Sequence, residues 1–565
     1  MIGGVVVGLW LVVVAYLVVS AALSMGHGAS ALRDVRRQAT VSDLLHPGTR
    51  ANVAKARSDF GHAASRLDNP LLAPIRILPV ASRHLAAAKH LAHGSRDGAA
   101  VADTALRDLQ GLVDRPHATG SQRIALLRDL ASVASRAKEG LDGIDVGTAH
   151  ALASSLGDKV TELQSQRDDA IQGASRLSAV STALADVLDG PEPYLLLGAN
   201  NAEMRADQGM FLSASTLSLS GGTIRLGPVQ PTAEIFLPKG SVPVTGDLAR
   251  NWSWLDPGRD LRNLGLTADL PQSAKLAVAN WAKVPGGAKT AGVIVVDVDA
   301  IRSLLRVVGP VTVEGVRYTA DNVRGRLLRE QYQAFGDRDV RRDQLGQVAR
   351  VIFDQLQQGH WKVDVLATEL ADAVQGRHLM VWSTKAATER AWHEVDADGH
   401  LTERSLSVAL LSRDGTKLDS WVKTRAELTS SDVDADHRRI TVRYRITNTS
   451  PGTGPVYVVG PSVAGLAAGD HKGLLVVNVP GGSTDVRITG ATPFLAGHDG
   501  PTEVVGGQVV VRKGRTVTVT VTATLPAGLT DVVLEPTARI PHTDWVVDGQ
   551  AFGRDRRRTV SVGGG

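Results

Sequence analysis

The chain opens on a continuous apolar run, Ile2 to Leu23 (IGGVVVGLWLVVVAYLVVSAAL), with no charged residue in 22 positions. At 1.5 Å per residue a helix of that length covers about 33 Å, enough to cross a bilayer. The pattern predicts a membrane anchor over residues 1–31. A cleaved signal peptide is the rival reading, because Ala29-Ser30-Ala31 has the small-x-small form of a cleavage site. The run exceeds the roughly 7 to 15 residues of a signal core and has no basic leader, which favours the uncleaved anchor. From residue 32 to 190 the pattern becomes helical. Leu152, Leu156, Val160, Leu163, Ala170, Ala174, Leu177, Ser181, Leu184 and Leu188 recur at spacings of three, four or seven, the stripe of a long amphipathic helix. Breaks at Asn69-Pro70, Pro74, Pro79 and Gly94 to Gly98 predict several helices forming a stalk or bundle. His90 and His93 lie three apart on one of them, and without a third ligand they read as solvated histidines.

After Pro191-Glu192-Pro193 the period changes. Tyr194-Leu195-Leu196-Leu197-Gly198 has the continuous apolarity of a buried strand, and residues 211–226 read as a hairpin turning at Gly221-Gly222. AGVIVVDVD (291–299) is a second buried strand, AIRSLLRVVG (300–309) a short helix ending in glycine, and PVTVEG (310–315) another strand. Helices are predicted over Asp321 to Phe335 and Val340 to Gln357, which together make residues 191–424 an α/β domain. From 425 to 547 the alternation is two-residue, as in RITVRYRIT (439–447) and TVTVTVTA (516–523), and predicts a β-sandwich. Residues 548–565, with Arg554, Arg556, Arg557 and Arg558, read as a basic flexible tail. The fold class is therefore multidomain: N-terminal transmembrane helix, all-α stalk, α/β central domain and C-terminal all-β sandwich.

Composition narrows the function classes. A chain of 565 residues is too long for one core, and 43% hydrophobic with 21% charged residues is ordinary for a globular protein. With 62 Lys+Arg against 58 Asp+Glu the net charge is +4, so nucleic acid is not an expected partner and any anion site must be local. The absence of cysteine excludes disulfides, a thiol nucleophile and thiolate-zinc centres. Seven of the nine tryptophans lie between Trp252 and Trp421, where large pockets are built most readily.

Nucleotide-binding, zincin and serine-hydrolase signatures are missing. The densest polar cluster follows the first α/β strand: Gly198-Ala199-Asn200-Asn201-Ala202-Glu203-Met204-Arg205-Ala206-Asp207-Gln208-Gly209. The C-terminal end of a strand is where open α/β sheets commonly bind ligands. Arg205 offers a planar fork for phosphate or carboxylate, Glu203 and Asp207 offer oxygens to a divalent cation such as magnesium, and Asn200 and Asn201 offer hydrogen bonds. The competing reading has the asparagines satisfying backbone groups in a turn and Arg205 paired to a carboxylate. A second basic group, Arg338, Arg341 and Arg342, opens a helix that continues through Gln344. Cations there favour a bound anion, unless Asp337, Asp339 and Asp343 neutralise them.

YLLLGANNAEMR, NLGLTADLPQSAKLAVANWAK (263–283), AGVIVVDVDAIRSLLRVVGPVTVEG (291–315), ARVIFDQL (349–356) and GRHLMVWS (376–383) together resemble the domain-of-unknown-function family four thousand and twelve, a family of membrane-anchored proteins. The likeness covers most of residues 190 to 400. Gln208-Gly209-Met210-Phe211 stands where that family usually has Gly-Gly-Phe. More distantly, the order of strand, acid-x-arginine turn, hairpin, VIVVDVDAIRSLLRVVGPVTV and arginine-rich helix resembles the LytR-CpsA-Psr family, whose members transfer glycopolymers from polyprenyl-pyrophosphate carriers to peptidoglycan. That resemblance implies Glu203, Arg205 and Asp207 as catalytic residues, with Glu203 or Asp207 holding magnesium. It also implies Arg341, Arg342 and Gln344 at the substrate. The expectation is a single-pass cell-envelope protein, its bulk extracytoplasmic, that transfers or binds polyprenyl-pyrophosphate-linked glycopolymers or contacts peptidoglycan. The alternative is a non-catalytic scaffold or glycopolymer-binding module. Arg33, Arg36 and Arg37 after the apolar run count toward the opposite orientation.

Overall fold

The computed structural model describes residues 2–36, 47–334, 338–553 and 555–563, with the backbone alone described at 2–12, 31–36, 47, 333–334 and 338–345. The chain divides into two units: Met1–His117 with Ser121–Asp186 and Lys362–Thr368, and Ala118–Gly120 with Val187–Trp361 and Glu369–Gly565.

The first unit is helical. Its long helices are α1 (Ile2–Arg36), α2 (Pro47–Leu67), α3 (Pro79–Val113), α4 (Gly120–Asp142) and α5 (Ser154–Asp189). Within α1, Val13–Ser30 is long and apolar enough to cross a membrane, a profile that a single span and a signal sequence share. Ala63 and Ala64 of α2 share one buried cluster with Leu17 and Ala21 of α1 and Leu85 and Ala92 of α3. A 3-10 turn, Pro70–Ile77, separates α2 from α3, as the prolines dictate. The break predicted at Gly94 to Gly98 does not occur, and α3 runs through it. Gly94 instead admits a neighbouring segment, since a Cβ there would lie 3.3 Å from the Asp145 carbonyl oxygen.

The second unit joins a mixed sheet to a sandwich. β1 (Tyr194–Met204), β2 (Gly209–Ser220), β3 (Thr223–Leu226), β4 (Gln230–Pro231), β5 (Gly292–Val296) and β8 (Leu379–Ser383) form one sheet in the order β3-β2-β1-β5-β8, with β4 beside β2. β1 is buried along its whole length and runs parallel to β5. The β2-β3 turn has φ of +53° at Gly221 and +75° at Gly222, values that glycine reaches without strain. β5 leads into the helix Val298–Val308, capped by Asp297 and ended at Gly309. A small hairpin pairs β6 (Val311–Val313) with β7 (Val316–Tyr318).

The sandwich consists of two six-stranded sheets. The first contains β10 (Val422–Asp432), β11 (Arg438–Asn448), β13 (Thr484–Thr489), β16 (Thr516–Thr524), β18 (Asp544–Val547) and β19 (Gln550–Phe552). The second contains β9 (Ser405–Ser412), β12 (His471–Val479), β14 (Thr492–Asp499), β15 (Thr502–Val511), β17 (Asp531–Glu535) and β20 (Arg558–Ser561). Alternating residues Ile440, Val442, Tyr444 and Ile446 of β11 face the shared core.

Two boundaries differ from the sequence expectation. The sandwich begins at β9 rather than at 425, because β9 is buried on both faces and shows no alternation. Leu406, Val408 and Leu410 enter the sandwich core, while Ala409 and Leu411 pack with the core around β1. Residues 548–565, read as a flexible tail, include two strands. β20 pairs with β17, and Arg557 forms ion pairs with Glu535 at 2.9 Å and Asp396 at 3.2 Å, so Arg557 fastens the segment before β20.

Candidate functional site

At the end of β1, the Met204 N–H donates to Asp419 Oδ2 at 3.0 Å. Asp419 is fully buried and forms ion pairs with Arg539 at 3.0 Å and His471 at 3.3 Å. Burial pushes the Asp419 carboxyl up, but Arg539 and His471 outweigh it and hold the group below its ordinary value. Beyond Met204 the chain turns, closed by Arg205 N–H to Gln208 O at 2.7 Å, and re-enters the sheet at Gly209. A Cβ at Gly209 would lie 2.3 Å from the Asn200 carbonyl, so the return to β2 passes closer than any other residue permits.

Arg205 is 6% exposed. Its Nη1 donates to Met204 O at 2.9 Å and to Ser412 O at 3.2 Å, while its Nε is buried without a hydrogen-bond partner among the described residues. Burial draws its pKa down, although a guanidinium stays charged at any physiological pH. The side chain lines a cleft of about 380 Å³ together with Glu203, Asp260, Arg262, Arg413 and Ser462. Arg262 engages Asp260 as a fork, with Nε to Oδ1 at 2.9 Å and Nη2 to Oδ2 at 2.8 Å, and lies 5.0 Å over the Phe236 ring. Arg413, exposed at the end of β9, lies 5.2 Å over the Trp254 ring. Among the described residues, neither Arg205 nor Arg413 makes an ion pair. Asp414 is occupied by Thr416 and the Lys472 N–H. The wall therefore presents two guanidinium groups without a carboxylate partner, one of them desolvated, to an open space.

The residues singled out from sequence take different places. Asn200 donates to the Tyr332 hydroxyl at 2.7 Å, and Asn201 to Asp297 Oδ2 at 2.7 Å and Ala538 O at 2.8 Å, so both are engaged within the core. Glu203 lines the cleft, where its carboxylate pairs with the Lys417 ammonium. Asp207 is fully buried. Its Oδ1 accepts from the Gln208 N–H at 2.6 Å, its Oδ2 has no partner, and burial raises its pKa to about 7. Asp207 is not part of the cleft wall, so the two carboxylates do not fit a shared magnesium site there. Arg338, Arg341, Arg342 and Gln344 lie on the helix Arg338–Gln358, and their side chains fall outside the described residues. Met204 and Phe211 are each 1% exposed and do not line the cleft, whereas Met210 of β2 does.

Among the described residues, the group best placed by proximity to hold a metal is His393, Asp398 and His400, whose ligand atoms lie within 4.8 Å of one another. Both histidine Nδ1 atoms already bond Asp398, at 3.0 and 2.5 Å, and the rings stack at 3.6 Å, a self-satisfied arrangement.

Residues 189–332 match the family described as Protein of unknown function (DUF4012). No curated protein and no solved structure matches the chain. The DUF4012 match takes in β1, the arginine turn and the Asp260-Leu261-Arg262 segment, and it stops short of the 400 that the sequence likeness reached. Ser412, Arg413 and Ser462 lie beyond it.

Sequence reasoning overlooked Asp260, Arg262 and Arg413. Asp260-Leu261-Arg262 is an acid-x-arginine triplet like Glu203-Met204-Arg205, and the two lie on one cleft. Arg413 follows a buried strand directly, the signal that had drawn attention to Arg205.

Proposed function

We propose that this is an envelope protein held at a membrane by α1, single-pass with its bulk extracytoplasmic, whose second unit binds a phosphate-linked anion in the Arg205 cleft. The ligand class is a polyprenyl-pyrophosphate-linked glycopolymer. The carrying observation is the cleft wall, which brings Arg205, Arg262 and Arg413 together and in which, among the described residues, neither Arg205 nor Arg413 is ion-paired. Guanidinium groups without a carboxylate partner favour an anionic oxygen, to which each can donate charge-assisted hydrogen bonds. The open position of Arg413 supplies a second charge, and stacking on Trp254 holds its plane. The distant resemblance in order of parts to the LytR-CpsA-Psr family is what suggests pyrophosphate as the anion and a saccharide chain as what extends from it.

Binding without transfer is the better-supported form of the reading. Asp207 lies apart, and the carboxylates that line the cleft are each engaged, Glu203 by Lys417, Asp260 by Arg262 and Asp414 by Thr416 and the Lys472 N–H, which disfavours a cation held against the pyrophosphate. The test is a calorimetric titration of the full chain in detergent with farnesyl pyrophosphate, with and without magnesium. Saturable heat that does not require magnesium is expected, weakened about tenfold in Arg413→Ala. Binding seen only with magnesium would return the weight to the transferase reading, and no heat from folded protein would remove the anion site.

A further inference from the structure

The α2-α3 hairpin ends in a tip that is apolar on the outside. The turn Pro70–Ile77 and the first residues of α3 expose Leu71 (49%), Ile77 (82%), Leu78 (61%) and Val80 (67%). A solvated turn is expected to carry polar residues there, and side chains of this kind seldom cluster on a surface without a partner. No Asp or Glu occurs between Asn69 and Arg96, while Arg76 and Arg83 are both exposed. The tip thus has an apolar face and only positive charge.

Its position supplies the partner. Leu72 of the turn is buried with Leu17 and Ala21 of α1, and Ile75 packs against the same cluster beside Val13 and Val14. Arg66 donates from Nη1 to Ser20 O at 2.9 Å and also bonds the Ser24 hydroxyl, fixing the hairpin along α1. The tip therefore lies on the N-terminal side of the Arg66 contacts at Ser20 and Ser24, toward the uncharged residues Ile2 to Tyr16 of α1. Helix α1 also exposes Tyr16 (67%), Val18 (43%) and Val19 (58%).

We propose that the turn Pro70–Val80 is a second membrane contact. It inserts Leu71, Ile77, Leu78 and Val80 into the acyl boundary of the bilayer that α1 enters, with Arg76 and Arg83 at the level of anionic headgroups. An amphipathic element of this composition lies in the interface rather than across it. The contact makes the first unit's attachment two-point, so that α1 and the hairpin enter the membrane together. This inference rests on the reading of α1 as a membrane anchor.

The absence of cysteine makes the test direct. The full chain, carrying Leu78→Cys, Tyr16→Cys or Ser165→Cys on the exposed surface of α5, is labelled with an environment-sensitive fluorophore. It is then reconstituted into vesicles of phosphatidylethanolamine and phosphatidylglycerol, with or without spin-labelled lipid. Quenching at residues 78 and 16 several-fold above that at 165 is the expected result. Quenching at 16 but not at 78 overturns the proposal and leaves the anchor standing. A shielded but unquenched label at 78 also overturns it, by assigning the tip to a protein partner. An unquenched label at both 16 and 78 removes the anchor and the second contact together.

Discussion

Arg205 Nη1 donates to the carbonyl oxygen of Ser412 at 3.2 Å, joining the end of β1 to the end of β9 across 207 residues of sequence. The bond crosses from the mixed sheet to the sandwich, so the cleft is built by both. The family match ends at residue 332, and residues 412–415 with 462–463 supply the rest of the wall. Whatever the matched region does in other chains, this cleft requires the sandwich.

Lys417 holds the charge of Glu203 in a nearly closed setting, with side chains 13% and 10% exposed. Lys417→Met should leave the carboxylate unpaired and cost about 3–5 kcal/mol, as breaking buried ion pairs does. Adding Glu203→Gln should recover most of that loss. Chemical denaturation of the single and double variants measures the difference, and equal stabilities for the two would mean that the pair contributes little.

Asp207 predicts a pH effect of definite sign. Burial raises its folded pKa to about 7, above the unfolded value, so its contribution is complete below about pH 4 and is lost as pH rises through 7. Asp207→Asn should therefore gain in Tm relative to the parent chain between about pH 5 and about pH 8. A gain of at least about 3 °C is expected, the size of a 1 kcal/mol change in a domain of 150–250 residues. A difference in Tm that does not vary with pH would contradict the buried, proton-binding carboxyl.

His378 predicts a loss at higher pH. Burial opposes its charge, but Asp297, 2.6 Å from Nδ1, and Asp299, 3.6 Å from Nε2, raise its pKa to about 9. A raised histidine stabilises the fold fully below its unfolded pKa of about 6.5, and that stabilisation disappears as pH rises through 9. The imidazole should titrate by NMR with a midpoint near 9, and the fall in Tm toward about pH 10 should be smaller in His378→Gln. A midpoint near 6.5 would show that the carboxylates do not control it.

Much of the fold was legible because local pattern and tertiary role agree. The Tyr194 run, the Gly221-Gly222 turn and the alternation of β11 and β16 each became the element their period predicts. β9 was not legible as a sandwich strand, since burial on two faces erases the alternation that marks one. The site was half legible. Arg205 announced itself by its place after a buried strand, but the groups around it depend on long-range packing that spacing does not encode. Arg413 reaches the cleft only because β9 lies beside β12 and β17. Asp207, two residues from Arg205, is turned instead toward Gly265, where a Cβ would lie 2.3 Å from its Oδ1.

The proposed phosphate-linked anion would lie against Arg205 and Arg413 of the cleft wall. Phosphorus NMR of farnesyl pyrophosphate, titrated with the full chain, Arg413→Ala and Arg205→Met, tests this placement most directly, with Tm recorded to confirm each fold. Broadened and shifted phosphorus lines are expected with the parent chain, a weaker effect with folded Arg413→Ala, and free-ligand lines with Arg205→Met. Equal broadening with all three proteins would place the anion outside the Arg205 cleft.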